Sequence, residues 1–83
     1  MISFNYSKLR GKIKEVFNTQ AAFAKEMGMS RTSLCEKLNN KFEFSQKEIE
    51  KAIELLHIPK EEIPIYFFTV ENEINARMDV SDE

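Results

Sequence analysis

Two short helices joined at one glycine are the feature that most constrains this chain, and they lie within residues 20 to 39. Phe23, Ala24 and Met27 are spaced three or four residues apart, so they share one helical face just before Gly28. Glycine adopts the left-handed conformation that ends a helix without steric cost. A side chain as small as that of Ala24 lets two helices cross closely. The segment therefore predicts a helix-turn-helix.

Polar residues stand where both of these helices should begin. Thr19 precedes the first helix and Ser30 precedes the second, and a hydroxyl at either position can accept a hydrogen bond from a first-turn amide. Leu34 and Leu38 then recur one turn apart on the second helix. These signals predict a first helix that runs from about Thr19 to the residue before Gly28, and a second that follows Ser30.

Helices are also predicted on both sides of this motif. Before it, apolar residues recur with helical spacing over roughly residues 6 to 17. After it, Ser45 and Glu48 form a capping box, in which each side chain satisfies a free amide, and the following helix should end near His57. The predicted core combines the apolar faces of these helices: Leu9, Ile13, Phe17, Phe23, Met27, Leu34, Leu38, Ile49, Ile53 and Leu56.

Proline complicates the segment that follows. Pro59 can open a short helix, but Pro64 would remove a hydrogen bond from it, so this helix should span about residues 59 to 63 or be kinked. Residues 65 to 70 are rich in β-branched and aromatic side chains. They favour a strand-like extension that can pair with Ile2 to Phe4, but the sequence leaves open whether these residues form a helix or a strand.

The composition fits one small domain. Eighty-three residues, 42% of them hydrophobic, allow a single modest core, which we place in residues 1–70. Residues 71–83 form a polar, acidic tail that we expect to be partly disordered.

With one cysteine, Cys35, and one histidine, the chain has no disulfide or metal-site pattern. It also has no triad or phosphate loop, so we expect neither an enzyme nor a cofactor or small-molecule substrate. Without a membrane-length apolar run or a signal peptide, we expect a cytoplasmic protein.

The charge is distributed unevenly along the chain. Residues 1 to 44 hold eight Lys/Arg and four Asp/Glu, a net charge of +4, whereas residues 45 to 83 hold four and ten, a net charge of −6. The basic half contains the helix-turn-helix. This asymmetry is compatible with a nucleic-acid-binding face and an acidic back.

Five residues at fixed offsets give the central segment a family resemblance: Gln20, Ala24, Gly28, Leu34 and Asn39. In this arrangement the segment resembles the Cro/repressor-type helix-turn-helix of temperate phages, the XRE family. The resemblance implies an all-α, five-helix, lambda-repressor-like domain. It also implies a transcriptional regulator of a phage or prophage, Cro-like or repressor-like, that binds a double-stranded DNA operator.

The resemblance further assigns DNA contacts to individual residues. In the family, the N-terminal residues of the second helix meet base edges in the major groove. A base-reading Arg31, for example, would donate two hydrogen bonds to one guanine. The implied base-reading set is Ser30, Arg31, Thr32, Ser33 and Glu36, and the implied phosphate contacts are Gln20, Lys37, Asn39 and Lys41.

Protein binding is the alternative function. The acidic C-terminal half and Glu36 both suit a basic protein partner, so the chain can instead be an antirepressor that docks onto a phage repressor. The segment of residues 65 to 70 carries more apolar surface than a small core covers, which predicts an interface for a homodimer or for the repressor. Part of this segment can also pack back on the core. The predicted interface residues are Ile65, Tyr66, Phe67, Phe68 and Val70. The sequence leaves the operator, the direction of regulation and the oligomeric state open.

Overall fold

A computed structural model describes residues 3–70 of the chain. Five α-helices surround the core, with one 3-10 turn at Lys60–Glu62. The helices are α1 (Ser7–Phe17), α2 (Gln20–Met27), α3 (Arg31–Leu38), α4 (Gln46–Leu56) and α5 (Ile63–Phe67). The predicted all-α, five-helix fold is confirmed. None of the helices within residues 3–70 has the length and apolar character needed to cross a lipid bilayer.

The turn between α2 and α3 forms as the sequence predicts. The Thr19 hydroxyl accepts a hydrogen bond from an amide of the first turn of α2 at 3.1 Å, and the Ser30 hydroxyl does the same for α3 at 3.0 Å. Gly28 has a φ of 79°, and its amide donates to carbonyls in the last turn of α2. Ala24 is only 1% exposed. α2 packs against both α3 and α4, so this small side chain lies among packed helices.

The capping box that begins α4 is also present. The Ser45 hydroxyl accepts from the Glu48 amide at 3.1 Å, and the Glu48 carboxylate accepts from the Ser45 amide at 2.9 Å. The helix ends at Leu56, and His57 follows it in the left-handed conformation with a φ of 58°. Both predicted boundaries of this helix are therefore confirmed.

Most of the predicted core is buried. Of its ten residues, Phe17 and Ile49 are only partly buried and lie at the edge of the core. The prediction missed Tyr6, Ile58 and Phe67, which are buried. All three lie outside the regular apolar stripes, so helical periodicity gave no signal for them.

Of the two structures that the sequence leaves open for residues 65 to 70, a helix forms at the beginning of the segment, because Ile65 lies within α5. Pro64 is in the first turn of this helix, where its missing amide has no intrahelical partner to lose. Burial of Phe67 in the core then outweighs the strand preference of the segment. Within residues 3–70, the extended pairing consists of one antiparallel bridge between Phe4 and Val70. The predicted pairing of Ile2, and the predicted disorder of the tail, concern residues outside the described part.

Candidate functional site

The predicted base-reading residues lie along the first two turns of α3, but they are not equally free. The Ser30 hydroxyl caps the helix and also donates to the Ser33 hydroxyl at 3.1 Å. Arg31 and Thr32 are exposed, and Glu36 is half-buried. Within this set, Arg31 and Thr32 are therefore the exposed side chains whose polar groups have no partner among the hydrogen bonds and ion pairs of residues 3–70.

The cation predicted to flank a DNA backbone at Lys37 is engaged within the protein. Its ammonium group pairs with the Glu48 carboxylate at 3.3 Å and donates to the backbone carbonyl of Glu43 at 3.1 Å. The Lys37 and Glu48 side chains are only 17% and 29% exposed, which protects the pair from solvent screening. Lys41 is exposed. Lys37 thus links α3 to the start of α4, and its ammonium group already has two partners within the protein.

The two predicted phosphate contacts with amide side chains each accept a hydrogen bond within the protein through the amide oxygen. The Gln20 Oε1 atom accepts from the Cys35 Sγ atom at 3.5 Å, which links α2 to α3. The Asn39 Oδ1 atom accepts from the Arg10 guanidinium at 3.0 Å, and the same nitrogen donates to the Leu38 carbonyl at 3.0 Å. These contacts hold the end of α3 against α1. No sequence pattern predicted this role for Arg10, because in the sequence it is one of several cations on the solvent face of α1.

A second surface is built from aromatic side chains, and we call it the aromatic groove. Its rings meet in a continuous series, with centroid separations of 5.4 to 6.3 Å and mostly edge-to-face geometry. The groove encloses about 220 Å³, enough for one or two side chains of a partner. It is lined by Phe4, Tyr6, Glu43, Phe44, Ile49, Phe67 and Phe68.

Large apolar side chains are exposed on the segments that form this groove. Phe68 is 49% exposed and Ile65 is 43% exposed. Phe67, which belongs to the same predicted set, is turned into the core with 2% exposure, because it closes the packing under the groove. Tyr66 and Val70 are half-buried. Phe42, which the sequence did not single out as an interface residue, is 59% exposed.

One titratable pair lies at the groove. Burial raises the pKa of the Tyr6 phenol above its ordinary value of 10.0, and the nearby Glu43 carboxylate raises the pKa further. Tyr6 therefore stays neutral at physiological pH and acts as a packing residue. Glu43 supplies the negative charge of the groove lining.

Asn40 fixes the N-terminal segment over the groove. It adopts a φ of 67°, in the left-handed region that asparagine tolerates better than most residues. Its Oδ1 atom accepts from the Phe4 amide and its Nδ2 atom donates to the Phe4 carbonyl, both at 2.9 Å. On the opposite edge of this segment, the Asn5 amide donates to the Thr69 carbonyl at 2.7 Å. The Phe4 ring is thus held against that of Phe68.

The match to a family model covers the whole described domain. The model of the family described as "Protein of unknown function (DUF739)" matches residues 2–70. The chain belongs to this family. The DUF739 match includes both the helix-turn-helix and the aromatic groove, so these surfaces belong to one family domain.

The structure of this DUF739 protein is similar to that of a phage regulator. It matches the solution structure of the modulator of repression (MOR) of the temperate bacteriophage TP901-1 from Lactococcus lactis. The two chains share 44% sequence identity and superimpose with a TM-score of 0.71, and the match covers 80% of this chain and 89% of the other. No curated protein matches the chain. The resemblance to a phage regulator is thus supported, whereas the Cro/repressor subtype is not.

Proposed function

We propose that this protein is a modulator of repression, which binds a phage repressor by protein–protein contact and changes the affinity of the repressor for its operator. The similarity to the TP901-1 modulator of repression carries this proposal, because it extends over 80% of the chain at 44% identity. The proposal is the antirepressor alternative that the sequence left open. It assigns the protein a binding role, without catalysis.

The contacts of one predicted phosphate-binding residue support protein binding over DNA binding. The Lys37 ammonium group pairs with the Glu48 carboxylate, so a DNA backbone would have to compete with this ion pair. The hydrogen bonds of Gln20 and Asn39 use their amide oxygens, whereas a phosphate would accept from their N–H groups, so these two contacts do not oppose DNA binding. Phosphate contacts supply most of the affinity of DNA-binding proteins. With Lys37 engaged, we therefore expect the domain to bind DNA less tightly than its helix-turn-helix pattern predicts.

The aromatic groove supplies the surface for the partner. Exposed aromatic and aliphatic side chains around a groove are typical of protein interaction sites, and large apolar residues dominate the binding energy of such sites. Phe68 lines the groove and is 49% exposed, while Ile65 is exposed on the same helix as Phe67 and Phe42 is exposed next to Glu43 in the sequence. The Glu43 carboxylate adds a negative charge that suits a basic repressor segment.

The experiment is a calorimetric titration of the full chain into the purified repressor of the same phage or prophage. We expect Phe68→Ala and Ile65→Ala each to weaken binding by about tenfold or more, which is the loss typical of an interface hot spot. Val16→Ala is the matched control, because Val16 is 39% exposed but lies on α1. Equal affinity of parent and Phe68→Ala would exclude this surface, and absence of parent binding would reject the modulator role.

Sequence-specific DNA binding is the second candidate function, and one observation favours it. Arg31 and Thr32 are exposed at the beginning of α3, where the family resemblance places base contacts. If this function operates, Arg31→Ala should weaken binding to the operator by about 1–3 kcal/mol and relax the preference at one base pair. An equal loss on operator and random DNA would make Arg31 a phosphate contact instead.

A further inference from the structure

Two polar groups stand among the rings of the aromatic groove, the Glu43 carboxylate and the Tyr6 hydroxyl. Neither group takes part in the hydrogen bonds or ion pairs found within residues 3–70. Glu43 contributes only its backbone carbonyl, which accepts from the Lys37 ammonium group. The groove therefore offers a negative charge and a hydroxyl to a ligand from outside the described domain.

The burial of Tyr6 makes its hydroxyl a group that favours a ligand. Tyr6 is only 7% exposed, and its phenol lies close enough to Glu43 for the carboxylate to raise its pKa. A phenol can both donate and accept a hydrogen bond, and a buried hydroxyl without a partner costs free energy. Glu43 is exposed, so a ligand can approach this pair from solvent.

The rest of the groove lining selects a ligand with an apolar stem. It consists of phenylalanine rings together with Ile49, and three ring pairs cross at 81° to 85°. In edge-to-face pairs the rings do not cover all of one another's faces, and the face of an aromatic ring attracts a cation. The complementary ligand is therefore a long side chain that has apolar carbons along its length and a positive charge at its end.

Arginine fits this description better than lysine. Its planar guanidinium stacks on aromatic rings, binds a carboxylate through two parallel hydrogen bonds and is more weakly hydrated than an ammonium group, so it enters a partly buried groove at lower cost. Its five N–H donors can serve the Glu43 carboxylate and the Tyr6 oxygen together. A lysine ammonium group lacks this planar geometry.

We propose that the aromatic groove binds an arginine side chain of the repressor. The guanidinium donates to the Glu43 carboxylate and to the Tyr6 oxygen, and the methylene stem packs against the rings of Phe44 and Phe68. This inference rests on the proposed function, and it names the chemical group by which the groove recognises its partner.

Charge complementarity favours the repressor over a second copy of this chain as the source of the arginine. A DNA-binding repressor carries exposed cationic side chains, because its affinity for the operator depends on contacts with phosphates. A second copy also has an exposed arginine, Arg31. However, this chain has a net charge of −2, so it gains no long-range attraction to a negatively charged groove on another copy.

The test is a double-mutant cycle, measured by calorimetric titration of the full chain with the purified repressor. We expect Glu43→Gln to weaken binding by about tenfold and Tyr6→Phe, which keeps the ring, by about threefold. Glu61→Gln is the matched control, because it removes the same charge from an exposed position outside the groove, and it should not change the affinity.

The repressor arginines are then replaced by glutamine one at a time. We expect one of these substitutions to weaken binding to the parent by about tenfold but to have little further effect on binding to Glu43→Gln, since the two changes remove the same contact. A coupling of this kind to one arginine identifies the side chain that enters the groove.

Equal binding of parent and Glu43→Gln to the repressor would overturn the inference and leave the modulator role in place, whereas absence of parent binding would reject both. An equal loss in Glu61→Gln would also overturn it, because a long-range charge effect would then replace the contact. So would coupling to a repressor lysine alone, or unchanged binding of Tyr6→Phe. If light scattering shows self-association that both Glu43→Gln and Arg31→Gln abolish, the groove binds a second copy instead.

Discussion

Asn40 offers the sharpest test of how this domain holds its N-terminal segment. Its side chain makes two hydrogen bonds to the Phe4 backbone, and its backbone lies in the left-handed region at a φ of 67°. Asn40→Gly removes the two hydrogen bonds but accommodates the backbone, so we expect a loss of about 2 kcal/mol in the free energy of unfolding. Asn40→Ala adds the cost of a left-handed alanine, which brings the loss to about 3 kcal/mol.

Thermal unfolding followed by circular dichroism measures both variants. At about 4–8 °C per kcal/mol for a domain of this size, the midpoint for Asn40→Ala should fall by at least about 12 °C and that for Asn40→Gly by at least about 8 °C. A glycine variant as stable as the parent would show that the clamp on Phe4 contributes nothing. Equal losses in the two variants would show that the left-handed backbone carries no cost.

Three further predictions concern stability. Gly28→Ala should lower the free energy of unfolding by about 1 kcal/mol, because the φ of Gly28 is 79°. Gly11→Ala should raise it by about 0.5–1 kcal/mol, because Gly11 lies within α1 with open space around the new methyl group. Denaturant titration measures both changes, and two changes of the same sign would contradict the argument. Ser45→Ala should cost about 1 kcal/mol in the same assay, since it removes the α4 cap, and a neutral result would mean that the cap is replaced by solvent. Because the pKa of Tyr6 is raised in the folded state, the neutral phenol contributes stability that is present below pH 10 and is lost as the pH rises through the folded pKa. Tyr6→Phe should therefore show a smaller fall in the free energy of unfolding over that pH range. Identical pH profiles of parent and variant would exclude Tyr6 as the source.

The helices and their ends could be predicted because their signals are local. Thr19, Ser30 and Ser45 each cap the helix that follows, and Gly28 takes the left-handed conformation that the turn requires. Each of these depends on a few neighbouring residues. The helix after Pro64 could not be predicted in the same way, because its formation depends on the burial of Phe67 by distant parts of the chain.

The candidate sites were predicted less completely, since they depend on pairs of residues far apart in sequence. The contact between Arg10 and Asn39 joins residues 29 positions apart, and that between Asn40 and Phe4 joins residues 36 positions apart. No periodic pattern predicts such pairs. The sequence did identify Ile65 and Phe68 as an exposed apolar surface, because a small core cannot cover every large side chain.

The most direct test of the modulator role is an electrophoretic shift assay with the operator region of the same phage or prophage. The operator is incubated with this protein alone, with the repressor alone, and with both. The proposed function predicts no shift by this protein alone and a loss or enhancement of the shift caused by the repressor. A specific shift by this protein alone, with the repressor's shift unchanged when both are present, would contradict it.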